Sequence, residues 1–264
     1  PDAVIAVGTG ILSLTGANAA WIDLATGRRC QTGDASCAFG ATVALTSASS
    51  TIALPLGGGG GFASTCPHAS DGLVIAGNGD VFTFDPAGLD GDGAFAAATS
   101  VTARDGGRAF ATGDCRVFVV GGGASDVDVI DFSSGTPATT TVSGVDVSGG
   151  ALVDLGDALQ ERALIGGTTA GAAIATGVVV TPTPAGADLC AVDDAGCNGD
   201  TSTMSCPRET PLAARVDDGS NAAPTLVMGG VDPACAASPA EMLVLSGDAP
   251  FTRFIPLDAT PAHV

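Results

Sequence analysis

An all-β fold built from repeated four-stranded units is what this sequence predicts, and three observations carry the expectation. A short β run ending in glycine recurs five times, at residues 3–8, 73–77, 117–122, 163–167 and 226–230. Its copies are spaced by 69, 45, 45 and 63 residues, and a period of tens of residues marks one supersecondary unit per repeat. Sustained 3.6-residue periodicity is nearly absent, while Gly, Asp, Pro and Thr punctuate the short apolar runs, so strands are favoured over helices.

Within the repeat the elements follow in order. The first strand is seen where residues 106–114 match residues 149–157 at an offset of 43. The second is the glycine-ended run, whose glycines permit close backbone approach and a sharp exit. The third closes in a turn carrying Asp and Gly: Trp21-Ile22-Asp23-Leu24-Ala25-Thr26-Gly27, Phe84-Asp85-Pro86-Ala87-Gly88, Ile130-Asp131-Phe132-Ser133-Ser134-Gly135, and a degenerate copy at residues 243–247. The fourth is polar and rich in Thr and Val, as in Thr139-Thr140-Thr141-Val142. A helix-like stretch at residues 158–164 ends inside a repeat strand. Four short strands per repeat describe the blade of a β-propeller, so residues 1–264 are expected to form one propeller domain of about five four-stranded blades. On this register the chain begins on a second strand, and residues 258–264 stop where a next first strand would start. The ring is then either short of blades or closed in an unusual way.

The glycine doublet in Val119-Val120-Gly121-Gly122, followed by the Asp-turn strand at residues 130–135, resembles the repeat of the kelch-type propeller family. The five copies cover nearly the whole chain, which differs from that family in lacking Tyr and in carrying a single Trp, Trp21. The resemblance implies a propeller scaffold. The absence of Tyr removes the tyrosyl copper chemistry of the family's oxidase branch and the Tyr nucleophile of sialidases.

Composition narrows the function further. A formal charge of −19, with 28 acidic residues against 9 Arg and no Lys, repels a phosphate backbone and excludes a Walker-type loop or a Schiff-base lysine. Nucleic acid is therefore not an expected partner. No apolar run is long enough to span a bilayer as a helix, and no basic segment followed by an apolar one opens the chain. Residues 1–264 read as a mature form or as an excised part of a larger parent chain.

Eight cysteines are present: Cys30, Cys37, Cys66, Cys115, Cys190, Cys197, Cys206 and Cys235. Without a Cys-x-x-Cys, and with His68 and His263 as the only histidines, zinc ligation is the weaker reading and disulfides the stronger. Cys30 with Cys37 and Cys190 with Cys197 are expected local bridges. They staple loop insertions near residues 28–61 and 187–207, which account for the two long spacings. Cys66 with Cys115 and Cys206 with Cys235 remain, one choice among the many that eight cysteines allow. Disulfides imply an oxidising compartment: the medium, the cell surface or a periplasm.

Few residues read as a site. Asp90-Gly91-Asp92-Gly93 resembles part of a calcium loop, with Asp90 and Asp92 as hard oxygen ligands, but the later acidic ligands are missing and a solvated Asp-Gly turn is the stronger reading, so no cofactor is expected. Calcium is the one cofactor the sequence admits. Asp193, Asp194 and Asp200 form a second acidic cluster, and the alternating Asp126, Asp128 and Asp131 read as a solvated face. The glycine run at residues 57–61 opens no helix and reads as a loop rather than a phosphate cradle. Trp21 would stack on a sugar if exposed and otherwise packs between blades. Arg28 and Arg29 suit contact with an acidic partner. His68, beside Pro67 and Cys66, reads as a loop residue, since two histidines make a Ser-His-Asp arrangement improbable.

The function expected from these features is a non-enzymatic exported propeller that binds protein or glycan through its loops. Two other readings stay open. A secreted hydrolase or lyase using Asp carboxylates predicts acids converging in a pocket, and a structural segment of a larger surface or fibre assembly predicts exposed apolar edges and self-association.

Overall fold

The computed structural model describes residues 3–40, 51–57, 61–91, 93–144, 147–155, 160–194, 203–216, 224–230, 240–246 and 251–257. Asp92, Cys197, Asp200, Cys235, His263 and all of residues 258–264 lie outside them. The described residues form 22 strands and a single 3-10 turn, Pro86–Asp90. They fall into five four-stranded antiparallel sheets and one two-stranded hairpin.

One compact unit comprises Pro1–Val120 with Val127–Thr141. Its first sheet is β1 (Ala3–Val7), β2 (Gly10–Thr15), β3 (Asn18–Asp23) and β4 (Arg29–Gln31), in that order. The second is β5 (Ile52–Pro55), β6 (Gly72–Ile75), β7 (Asp80–Phe84) and β8 (Phe95–Ser100). The third, whose ends pass the limits of this unit, is β9 (Gly107–Thr112), β10 (Arg116–Gly121), β11 (Asp126–Asp131) and β12 (Ala138–Ser143). The other unit comprises Gly121–Asp126 with Val142–Val264. It holds a fourth sheet of β13 (Ala151–Asp154), β14 (Arg162–Ile165), β17 (Gly177–Thr183) and β18 (Gly186–Ala191), with a hairpin of β15 (Thr168–Thr169) and β16 (Ala172–Ala173) inserted at its centre. The fifth sheet is β19 (Leu212–Arg215), β20 (Thr225–Met228), β21 (Ala240–Ser246) and β22 (Phe251–Pro256). Each sheet keeps the order of a propeller blade, an up-and-down meander.

The repeat register holds in four sheets and fails in the first. The glycine-ended runs at 73–77, 117–122, 163–167 and 226–230 supply the second strands β6, β10, β14 and β20, whereas Ala3–Val7 is the first strand of its sheet and Gly10–Thr15 the second. The chain therefore begins on a first strand, not a second. Gly8 and Gly16 each close a tight turn with φ +54, so both runs carry the same local signature, and only pairing to β3 tells them apart. The Asp turns are as local as they look in sequence. Asp23, Asp85 and Asp131 each accept a hydrogen bond from the backbone N–H two residues on, at 2.9, 2.9 and 2.7 Å.

Apolar residues fill the space between successive sheets. Leu12, Leu14, Trp21, Val74, Phe84 and Phe95 share a core between the first and second. Leu54, Leu73, Val117, Val119, Ile130 and Phe132 do so between the second and third. In the other unit Val153, Ile165, Val179, Val227, Leu243 and Phe254 pack the fourth against the fifth. Each fully buried side chain of this size contributes about 1.5–3 kcal/mol. Gly10 is glycine because a Cβ there would lie 2.4 Å from the Ile22 carbonyl oxygen and 2.4 Å from the Trp21 ring.

Candidate functional site

The loops next to the first two sheets are held by disulfides. Cys30, on the edge strand β4, is bridged to Cys37 with the Cα atoms 5.6 Å apart. Cys66, in the loop before β6, is bridged to Cys115 in the turn between β9 and β10, with the Cα atoms 5.4 Å apart. Cys190, on β18, and Cys206 are also disulfide-bonded, and no cysteine among the described residues is free.

The first of these loops brings two sequence-selected residues together. Arg28 Nη1 lies 2.5 Å from Asp90 Oδ1, so the Asp90 carboxylate carries an arginine partner, while its neighbour in the Asp-Gly motif, Asp92, is outside the described residues. Arg29 lines a surface pocket of about 330 Å³ with Gln31 and Asp34. Asp34 is held below the usual carboxylate range by the Ser36 backbone N–H and hydroxyl. Trp21 reaches the same pocket but is only 4 % exposed, with its ring centroid 5.5 Å from that of Phe84. It packs between sheets rather than offering a stacking face. Asp193 and Asp194 are exposed.

A second pocket, of about 420 Å³, sits over the Cys66 loop and is lined by Phe62, Ser64, His68, Ala69 and Ser70 among others. His68 Nδ1 is 2.7 Å from Asp71 Oδ2, and the Ser70 hydroxyl donates to Asp71 Oδ1 at 3.1 Å. The Asp71 side chain is 8 % exposed and that of His68 31 %. Burial pushes the Asp71 carboxyl up, with the charge of Asp85 acting in the same direction, against the hydrogen bond from His68. His68 adopts φ +62, a left-handed conformation that L residues rarely take, and its ring meets Phe132 edge-on at 5.7 Å.

Other acids are buried for structural ends. Asp128, 1 % exposed on β11, accepts from Arg104 Nη2 at 2.8 Å, from the Thr102 backbone N–H at 2.8 Å and from the Thr141 hydroxyl at 2.7 Å. It is therefore not part of a solvated acidic face. The fifth sheet repeats the device: Glu241 on β21 accepts from the Ser205 N–H and hydroxyl at 2.9 and 2.5 Å, with Arg208 Nη2 3.4 Å away. In both sheets a hydroxyl residue and an arginine preceding or entering the sheet clasp an acid on its third strand.

The repeat register contains a signal for the Asp71 site. Asp71 directly precedes the second strand β6, and Glu161 directly precedes β14; Leu56 N–H donates to the Asp71 carbonyl just as Leu155 N–H donates to that of Glu161. The pairing of this acid with His68 is local, three residues apart across a turn in which the Asp71 N–H donates to the His68 carbonyl.

No family model matches the chain, and no curated protein matches it. Solved structures do. The chain is similar to a structure of YjhT at a TM-score of 0.52 and 10% identity, covering 96% of this chain and 82% of that one. It also matches, more loosely, apo AztD from Citrobacter koseri (TM-score 0.40, 14% identity, 96% of this chain and 58% of that one) and the WD40 domain of Toxoplasma gondii coronin (0.44, 9%, 97% and 55%). The chain spans little more than half the length of the latter two. At these identities the likeness is one of fold alone, and that fold is the β-propeller.

Proposed function

We propose that the protein is an exported, non-enzymatic propeller scaffold of kelch-type character that binds a protein or glycan ligand at the cell surface. The observation that carries this reading is the pair of disulfides Cys30–Cys37 and Cys66–Cys115, which pin loops onto a rigid sheet frame. Bridges of this kind persist in the medium, at the cell surface or in a periplasm. The distribution of acids supports binding over Asp-based hydrolysis. Asp23, Asp34, Asp114 and Asp128 are each held below the usual carboxylate range by their own local donors, and of these four only Asp34 lines either pocket described above; the raised acid, Asp71, is engaged by His68 and Ser70.

The test is a glycan array and a cell-surface binding assay with the oxidised protein, beside a variant carrying Cys30→Ser and Cys37→Ser. Binding by the oxidised protein that falls at least tenfold in the variant, with the β signature intact, is the expected result. Free thiols in natively isolated protein, or binding indifferent to the bridge, would overturn the loop assignment.

A second reading, a structural segment of a larger surface assembly, is favoured by one observation. Among the described residues, every exposed large apolar side chain lies in or directly after a strand of the first sheet (Val4, Ile22, Leu24) or the fifth (Leu212, Val216, Met228, Ile255, Leu257).

A further inference from the structure

We infer that the pocket over the Cys66 loop binds a neutral, hydroxyl-bearing molecule of about one sugar ring, with Nε2 of His68 accepting a ligand hydroxyl and Asp71 as the positioning residue. The inference deepens the glycan half of the proposed scaffold function and rests on it.

The repeats supply an internal comparison. In the fourth sheet the acid before the second strand, Glu161, accepts from the hydroxyl of Thr181 on the third strand, at 2.7 Å. Continuing the β14–β17 register places those two residues opposite each other, and continuing the β6–β7 register places Asp71 opposite Asp85. The second sheet thus has a carboxylate where the fourth has a hydroxyl donor. Asp71 is paired instead with an imidazole that borders a cavity. A buried acid that, unlike its one counterpart Glu161, faces no hydroxyl and instead holds a histidine of left-handed backbone conformation in a disulfide-pinned loop is the arrangement expected of a site.

The chemistry of the lining sets the ligand class. An ionised carboxylate only accepts, so the proton lies on Nδ1, and Nε2 is the acceptor left for a ligand. Ser64 and Ser70 add hydroxyls, Phe62 and Ala69 an apolar wall, and none of the described lining residues carries a fixed charge. The chain's charge of −19, with Asp71 on the imidazole and the charge of Asp85 acting on Asp71, disfavours an anion. A volume of about 420 Å³ lies at the small end of ligand pockets and suits a single ring.

Two histidines in the whole chain make the measurement simple. In a two-bond 1H–15N correlation spectrum of the intact, oxidised protein at neutral pH, His68 is expected as the Nδ1–H tautomer. Titration with glucose, galactose and N-acetylglucosamine should then shift its ring signals saturably and leave those of His263 in place. Asp71→Asn should lose the tautomer bias and weaken binding at least tenfold. Should that variant fail to fold, Ser64→Leu fills the pocket from an exposed position without touching the His68–Asp71 pair and should abolish the shifts. The inference is overturned if His68 is the Nε2–H tautomer, or if none of the three sugars moves its signals at millimolar concentration. Glycan-array binding that His68→Gln leaves unchanged also overturns it while the scaffold reading stands; an array without any binding, together with unmoved signals, removes both.

Discussion

Asp128 shows how a single side chain can carry a sheet. It and Arg104 are 1 % and 4 % exposed, and removing one partner strands the other charge away from water. Asp128→Ala should therefore cost about 3–5 kcal/mol, read as a lowered urea midpoint. The double replacement Arg104→Met with Asp128→Leu should cost far less, because neither charge is then left uncompensated. Burial raises the Asp128 carboxyl, but the hydrogen bonds from Arg104, Thr141 and Thr102 outweigh it and hold the group below the usual range. A lowered carboxyl in the folded state contributes stability above the unfolded value of about 3.9, and that contribution is lost as pH falls through the folded value. Acid titration followed by the far-ultraviolet signal should show unfolding setting in below about pH 4, with a shallower dependence in Asp128→Asn. Asp114, lowered by Arg116 and Thr112 against its partial burial, adds in the same direction.

Elements are tied together by cross-links of very different reach. Cys30–Cys37 spans 7 residues and fastens one edge strand, while Cys66–Cys115 spans 49 and joins the second sheet to the third. Loop-closure entropy then predicts losses of about 2.5 and about 4 kcal/mol when each pair is replaced by Ser. Denaturant midpoints of the two variants check the order, and equal losses would mean that chain entropy is not what these bridges supply. How far the elements could be read in advance follows the same division between local and distant causes. The Asp turns of the third strands were legible because Asp23, Asp85 and Asp131 bond to an N–H two residues away. The third strand of the fourth sheet carries no such mark. Gly177–Thr183 turns through Pro184 and Ala185, and the hairpin at Thr168–Thr169 and Ala172–Ala173 separates it from β14. The first repeat cannot be registered from its pattern, because two successive glycine-closed runs satisfy it. Asp128 looked like a surface acid because alternation on a strand cannot show that an arginine 24 residues upstream folds back over it. His68 reads in sequence only as a loop residue and Asp71 carries no mark of its own, because their contact is made within a local turn in which the Asp71 N–H donates to the His68 carbonyl.

At the level of the whole molecule, two opposing surface properties decide whether the chain stays alone. The charge of −19 repels like copies, and among the described residues the large apolar side chains left in water gather on the first and fifth sheets. Leu212 and Met228 are direct cross-strand partners on β19 and β20, 69 % and 38 % exposed, so the fifth sheet presents a contiguous apolar pair rather than scattered residues. Charge repulsion is screened within about 10 Å at 0.1 M salt, whereas burial of apolar surface is not weakened by salt. Association driven by these faces should therefore grow as ionic strength rises, the reverse of what charge-paired assembly would do. Sedimentation equilibrium over a range of protein concentrations, at low and at high salt, tests this directly. The expected result is a mass that climbs with both, and that falls back toward the monomer when Leu212→Ser and Met228→Ser are combined. A mass independent of concentration at high salt would remove the assembly reading and leave the apolar faces without a role in self-association.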